Sequence, residues 1–160
     1  MKSIYILLFL FLSSYAHSQI VSIPDANFKN ALLNTLCADT NGDGVADADA
    51  DVNNDGEIQQ SEANAVLSLF VINKNIDSLE GIQYFTNLQR LDCSFNDIVS
   101  LNTSQSPDLI YLNCHFNELT SLDVSQNINL QELICDINYS LDQLDILTPF
   151  RFSGIQDFTT

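Results

Sequence analysis

Positive charge is scarce in this chain of 160 residues. Five Lys and Arg stand against 21 Asp and Glu, giving a formal net charge of −16 and a pI of about 4.1. That scarcity excludes a nucleic-acid footprint, which needs a basic patch, and disfavours docking on an anionic membrane surface. A membrane-length apolar run is also missing. The run from Ile4 to Leu12 carries no charge, but it is far short of the roughly 20 residues that a spanning helix needs. With Met1-Lys2 before it and Ala16-His17-Ser18 after it, it reads as a signal peptide over residues 1–18, cleaved near Gln19. No cysteine lies near that point to carry a lipid. The expectation is an exported chain without a transmembrane segment, one unit more negative after losing Lys2. Its 46% hydrophobic residues exclude a charged disordered tail and suit one folded domain.

The acid is concentrated. Eight acidic residues lie between Asp39 and Glu62, and no Lys or Arg interrupts them. Residues 51–62 read as a twelve-residue loop of the EF-hand type. Asp51, Asn53, Asp55, Gln59 and Glu62 supply oxygens at positions 1, 3, 5, 9 and 12. Glu57 supplies its carbonyl at position 7, Gly56 turns the chain at position 6, and Ile58 is the apolar anchor. Calcium is a hard ion that takes six to eight oxygens, and short acidic side chains alternating on a tight turn provide them. Twelve residues earlier, Asp39, Asn41, Asp43 and Gly44 repeat the start of the motif. Position 12 of that loop is Ala50, so a bidentate ligand is missing, and Asp47 and Asp49 are the candidates to replace it. The tandem is similar to the acidic repeats of thrombospondin type 3. Ahead of the loops, Asp25 is placed to cap a helix whose apolar face is Phe28, Ala31, Leu32, Thr35 and Leu36. After them, Ala63, Val66, Leu67 and Phe70 suggest a short second helix or turn.

A shift of 21 residues aligns the chain with itself. Leu88, Leu109 and Leu130 coincide, as do Leu91, Leu112 and Leu133, then Cys93, Cys114 and Cys135, then Asn96, Asn117 and Asn138. Each unit reads L-x-x-L-x-C-x-x-N, and a degenerate first turn runs through Val66, Leu69, Val71, Lys74, Ile76 and Leu79. The period falls within the leucine-rich repeat range. One coil cannot bury its apolar side alone, whereas stacked coils share a core. The expected fold is therefore α+β: a short leucine-rich repeat solenoid of about four coils, with parallel β on its concave face and an N-terminal helical cap holding the tandem calcium loops. Leu and Cys point inward, Asn bonds backbone groups at the bend, and Ser104 to Pro107 and Ser125 to Asn127 form turns on the convex side. The three repeat cysteines are expected as buried thiols. Side chains stacked in register seldom offer the disulfide dihedral, and three in a column cannot all pair. Cys37 has no evident partner.

Ile23-Pro24-Asp25-Ala26-Asn27-Phe28, the calcium loop, Gly81-Ile82 with Phe85-Thr86-Asn87-Leu88, and the cysteine-bearing coils together resemble exported leucine-rich repeat proteins of Bacteroidetes, internalin-like in architecture. The resemblance spans about Ser22 to Leu144, with a doubled acidic loop where members commonly show one. It implies binding or adhesion at the cell surface or in the extracellular space, not catalysis. The expected organisation is a signal peptide (1–18), a cap helix (19–38), tandem calcium loops (39–62), repeats (63–148) and a tail (149–160) in which Pro149 to Phe152 would cover the last coil. A protein or glycan partner would meet the strand face, through Arg90, Asp92 and Ser94, then Tyr111, Asn113 and His115, then Glu132, Ile134 and Asp136.

Two other functions compete. Ser94, His115 and Asp136 stand 21 apart on successive coils and form a Ser-His-Asp set on paper. No glycine elbow or oxyanion-hole loop accompanies them. A dockerin-like module of an extracellular enzyme complex also pairs calcium loops, but it places a helix after each, and here the first loop runs straight into the second.

Overall fold

The computed structural model describes residues 19–138 and 141, together with the backbone of a strand at 143–145. The expected signal peptide and tail lie outside those residues. Helix α1 (Ala26–Asn34) is followed by strand β1 (Ala38–Asp39), helix α2 (Gln60–Ala65), strand β2 (Ser68–Phe70) and a 3-10 turn (Ile82–Tyr84). Five more strands follow: β3 (Arg90–Asp92), β4 (Tyr111–Asn113), β5 (Ser121–Asp123), β6 (Glu132–Ile134) and β7 (Gln143–Asp145).

Strands β2, β3, β4 and β6 run parallel, one per coil, and β1 closes their near edge antiparallel to β2. Leu69, Leu91, Leu112 and Leu133 share one register row. All four are buried, so the period of 21 places equivalent side chains over one another. A parallel pair, β5 with β7, lies apart from the main sheet. The core is a column built from the repeat positions, with Leu88, Leu109 and Leu130 beside the row of leucines, and Ile98 and Leu119 beyond the bend. Each such side chain contributes about 1.5–3 kcal/mol on burial. Ser104 and Gln105, and Ser125 and Gln126, form turns as expected.

The asparagines form a ladder. Asn117 Nδ2 donates to the carbonyls of Cys93 and Cys114, both at 3.1 Å, and its Oδ1 accepts from Ile98 N. Asn96 and Asn138 repeat the pattern one coil on either side. The amide thus satisfies backbone groups that the bend removes from the sheet. The first coil carries Lys74 at this position, and Lys74 N donates to Asn96 Oδ1. A second ladder lies further along the coil, where Asn127 bonds Thr103 and Ser106.

The cap docks through Asp25. One carboxylate oxygen accepts from Asn27 N and Phe28 N, capping α1. The other accepts from Asp77 N and Ser78 N in the first coil. Phe28 and Leu32 are fully buried. The helix is shorter than its apolar pattern predicts: it ends at Asn34, Thr35 is extended, and Leu36 is 69% exposed. The chain must turn there to bring Cys37 and Ala38 into the core, and that turn swings Leu36 outward. The expectation that Thr35 and Leu36 continue the helix's apolar face is thereby corrected. Of the segment expected to form a second helix, only the part up to Ala65 is helical, and Leu69 and Phe70 belong to β2. Gly81 sits at φ +110, and a Cβ there would lie 2.8 Å from Ile23 Cγ1. Only glycine lets the N-terminal segment approach the solenoid this closely.

Candidate functional site

The two acidic loops share one local geometry because they share one spacing. In the second loop, Asp51 accepts from Asp55 N and Gly56 N, Asn53 Oδ1 from Asp55 N, and Asp55 Oδ1 from Glu57 N. Gly56 has φ +84 and Ile58 is fully buried, matching the turn and anchor positions of the motif. Glu62 belongs to the first turn of α2. One of its oxygens accepts from Gln59 N in a capping box, and the other accepts from Asn53 N and closes the loop. Lys29 bonds Glu57 at 2.7 Å and ties the loop to α1.

The interior of this loop holds amide protons. Gln59 Nε2 donates to both oxygens of Asp55, at 3.1 and 3.0 Å, and lies 3.4 Å from the Glu57 carbonyl. Asn53 Nδ2 donates to Asp55 Oδ2 and to Gln59 Oε1. Oxygens expected to face a cation therefore converge on a donor, as their chemistry requires. Among the described residues, no group of three or more His, Cys, Asp or Glu is set to hold a metal ion. The candidate ligand set is mixed: carboxylates from Asp51, Asp55 and Glu62, the Asn53 amide and the Glu57 carbonyl.

The first loop repeats the turns. Asp39 accepts from Asn41 N, Gly42 N and Gly44 N, Asn41 from Asp43 N, and Asp43 from Val45 N. Asp39 also accepts from Ser68 Oγ in β2 and is fully buried. Burial pushes its carboxyl up, but the amides of Gly42 and Gly44, with the Ser68 hydroxyl and Asn41 N, outweigh burial and hold it below the usual range. Of the two candidate substitutes for the missing ligand, Asp47 meets the loop through Asn41 Nδ2 at 3.4 Å. The charge of Asp49 is felt at Cys37: burial, with that charge adding to it, raises the thiol to about 11.

On the strand face, side chains alternate between core and surface. Arg90, Asp92, Tyr111, Asn113, His115, Glu132, Ile134 and Asp136 are all half-buried there, as expected. Arg90 lies over the Tyr111 ring at 4.4 Å. Asn113 donates to Asp92 at 3.0 Å. Burial, with the charges of Asp92 and Glu132, raises the Tyr111 hydroxyl. Ser94 is a correction. It is only 3% exposed, and its hydroxyl donates to Asp92 at 2.6 Å, because the chain is already turning toward the Asn bend. His115 and Asp136 do meet, at 2.9 Å. The paper triad is thus half assembled, with the serine proton committed to Asp92.

Phe70 was not among the expected face residues. It pairs with Asp92 in register and is half-buried, so its place in the degenerate first coil was the available signal. It lines a cleft of about 420 Å³, together with Asp43 of the first loop and Arg90 of β3. Clefts of about 410 and 360 Å³ lie near Ser100 and Asn102, so volume alone singles out none of them. The chemistry does: the first cleft joins an acid, a cation and an aromatic ring where the acidic loop meets the sheet.

Cys37, Cys93, Cys114 and Cys135 are free and buried. Burial pushes the Cys93 and Cys114 thiols well up, as suits apolar packing groups.

No protein-family model matches the chain, and no curated protein matches it. Solved structures with a similar trace include an internalin, InlF, from Listeria monocytogenes strain 4b F2365 (18% identity, TM-score 0.47, covering 76% of this chain and 43% of that one). Another is a Clostridium perfringens ZmpB structure of CBM51-2 in complex with GlcNAc and INT domains (19%, TM-score 0.46, 72% and 20%). A third is the functional domain of InlJ from Listeria monocytogenes, described as including a cysteine ladder (24%, TM-score 0.30, 80% and 38%). The chain spans less than half the length of each.

Proposed function

We propose that this chain is an exported, non-catalytic binding module that receives a protein or glycan partner on its concave strand face. The observation that carries this reading is the contrast between the two sides of each strand. Inward positions repeat the same residue types from coil to coil, whereas the outward ones change: Arg90, Tyr111 and Glu132 in one row, Asp92, Asn113 and Ile134 in the next. A scaffold whose core is uniform and whose exposed face is varied is built to display chemistry. Tyr111 and Ile134 are the anchors, with the charged residues setting polarity. Among the described residues, no helix is long and apolar enough to cross a membrane.

Calcium belongs to the same proposal. Asp51, Asn53, Asp55, the Glu57 carbonyl and Glu62 would hold it, with Gln59 turning its amide away, and it would neutralise carboxylates that otherwise repel. Its role is to stiffen the cap. Phe28 and Leu32 are already buried against the solenoid, leaving no apolar groove to release as a sensor does. Calcium binding only the folded state would add about 2.7 kcal/mol at a hundredfold excess over Kd.

The test combines calorimetry with arrays. Calcium chloride should bind with a Kd on the order of 10⁻⁴ to 10⁻³ M, raise the melting temperature, and bind more weakly to Glu62→Gln. Absence of calcium heat in the wild type refutes the metal site. On peptide and glycan arrays, Tyr111→Ala/Ile134→Ala should lose ligands that Gln105→Ala retains. Equal binding by both variants refutes the concave-face assignment.

A further inference from the structure

The residue preceding each ladder position, Lys74 in the first coil and asparagine in the others, is in the left-handed region: Asn73 at φ 54, Phe95 at 58, Phe116 at 52 and Ile137 at 53. These are equivalent positions. Asn73 N donates to Ser94 O, Phe95 N to His115 O and Phe116 N to Asp136 O, one rung per coil. Asparagine tolerates this backbone, whereas bulky side chains gain nothing from it. Phe95 and Phe116 are nonetheless 47% and 46% exposed. Folding alone would place asparagine there, as the first coil does. Two phenyl groups held in a disfavoured conformation and left in water point to use.

The surroundings indicate what uses them. The rings stack at 5.4 Å with 22° between planes, and His115 meets Phe95 edge-on at 5.0 Å. Carboxylates are bonded to the pair's neighbours on one side and follow each ring in the sequence. Asp136 is bonded to His115 and Asp92 to Ser94 on the concave side, and Asp97 and Glu118 are exposed two residues beyond each ring. An aromatic face flanked by carboxylates suits a cation, which gains from both the ring quadrupole and the charges. A second copy of this chain is disfavoured, because two bodies of net charge −16 repel. A glycan is disfavoured at the ridge because its two phenyl rings offer sugar hydroxyls no hydrogen-bond partner.

We infer that the Phe95–Phe116 ridge, on the rim beside the concave face, docks a cationic side chain, arginine above all, presented by a partner polypeptide. This rests on the binding-module reading and adds to it both a second contact surface and the charge of the partner. The probe is a labelled peptide alternating Arg and Ser, with citrulline and Glu replacing Arg in two controls. Fluorescence anisotropy should show binding of the Arg peptide alone. Phe95→Asn/Phe116→Asn should weaken it about tenfold or more while the urea midpoint holds or rises, since asparagine accepts the left-handed backbone. Asp97→Asn/Glu118→Gln should weaken it as well. Unchanged binding by Phe95→Asn/Phe116→Asn, or equal binding of the citrulline peptide, overturns the proposal. So does loss of a neutral glycan, or of a dimer in sedimentation, in place of the peptide. If Tyr111→Ala/Ile134→Ala abolishes peptide binding and the ridge variant does not, the ridge fails and the concave-face reading stands. If no peptide and no glycan binds the wild type, both fail.

Discussion

Truncating Asn117 to alanine tests how the coils are joined. Asn117 is 5% exposed and makes four hydrogen bonds: to the carbonyls of Cys93, Cys114 and His115, and from Ile98 N. The ladder is redundant, however. Cys93 O also accepts from Asn96 Nδ2 at 2.9 Å, and Cys114 O from Asn138 Nδ2 at 3.0 Å. After truncation those two carbonyls keep a side-chain donor and His115 O keeps Phe95 N, so the group left without its partner is Ile98 N. One stranded buried amide costs about 1–3 kcal/mol, and the lost bonds about 0.5–1.5 each, so Asn117→Ala should cost about 3 kcal/mol. The redundancy predicts coupling. In Asn96→Ala/Asn117→Ala both donors to Cys93 O disappear, and the double variant should exceed the sum of the singles by about 1–2 kcal/mol. Urea denaturation of the four proteins of the cycle measures this directly. Additivity within about 0.5 kcal/mol would refute the shared-carbonyl account, and a cost under about 1 kcal/mol for Asn117→Ala would refute the ladder itself.

Two further predictions concern stability. Leu112→Ala removes a fully buried side chain between two coils and should cost about 2–5 kcal/mol. Its neighbour Asn113→Ala loses a bond to Asp92 and one from His115 N, both groups half-exposed and open to water, and should cost less, about 0.5–1.5 kcal/mol; equal costs in urea melts would show the register to be wrong. Asp25 titrates below its ordinary 3.8: burial raises it, but the amides of Phe28, Asp77, Ser78 and Asn27 outweigh burial. A depressed folded value means that its stabilisation is present above the ordinary value and is lost as pH falls through the folded one. The fall in urea midpoint below about pH 4 should be shallower in Asp25→Asn than in the wild type, and identical slopes would remove Asp25 from the docking account.

Some of this was legible in the residues alone. The period of 21, the inward Leu and Cys, the bend asparagines and the spacing of the acidic loops are properties of one coil or one turn. Stacking identical units carries such local properties into the whole fold. The second loop's turns likewise follow from which residue stands at each position, since an Asx turn is made within a few residues. What the tertiary structure alone decided depends on distant partners or on backbone direction. Leu36 fits the helical period, yet it is exposed because the chain must leave the helix to bring Cys37 into the core. Ser94 fits the column of outward residues, yet its hydroxyl turns to Asp92 as the bend begins. Asp39 is fixed by Ser68, 29 residues away, and Gly81 is set by the approach of Ile23. The Phe95–Phe116 ridge occupies a position the repeat treats as variable. Composition placed two phenylalanines there; only the left-handed backbone, repeated coil on coil, turned them outward and stacked them.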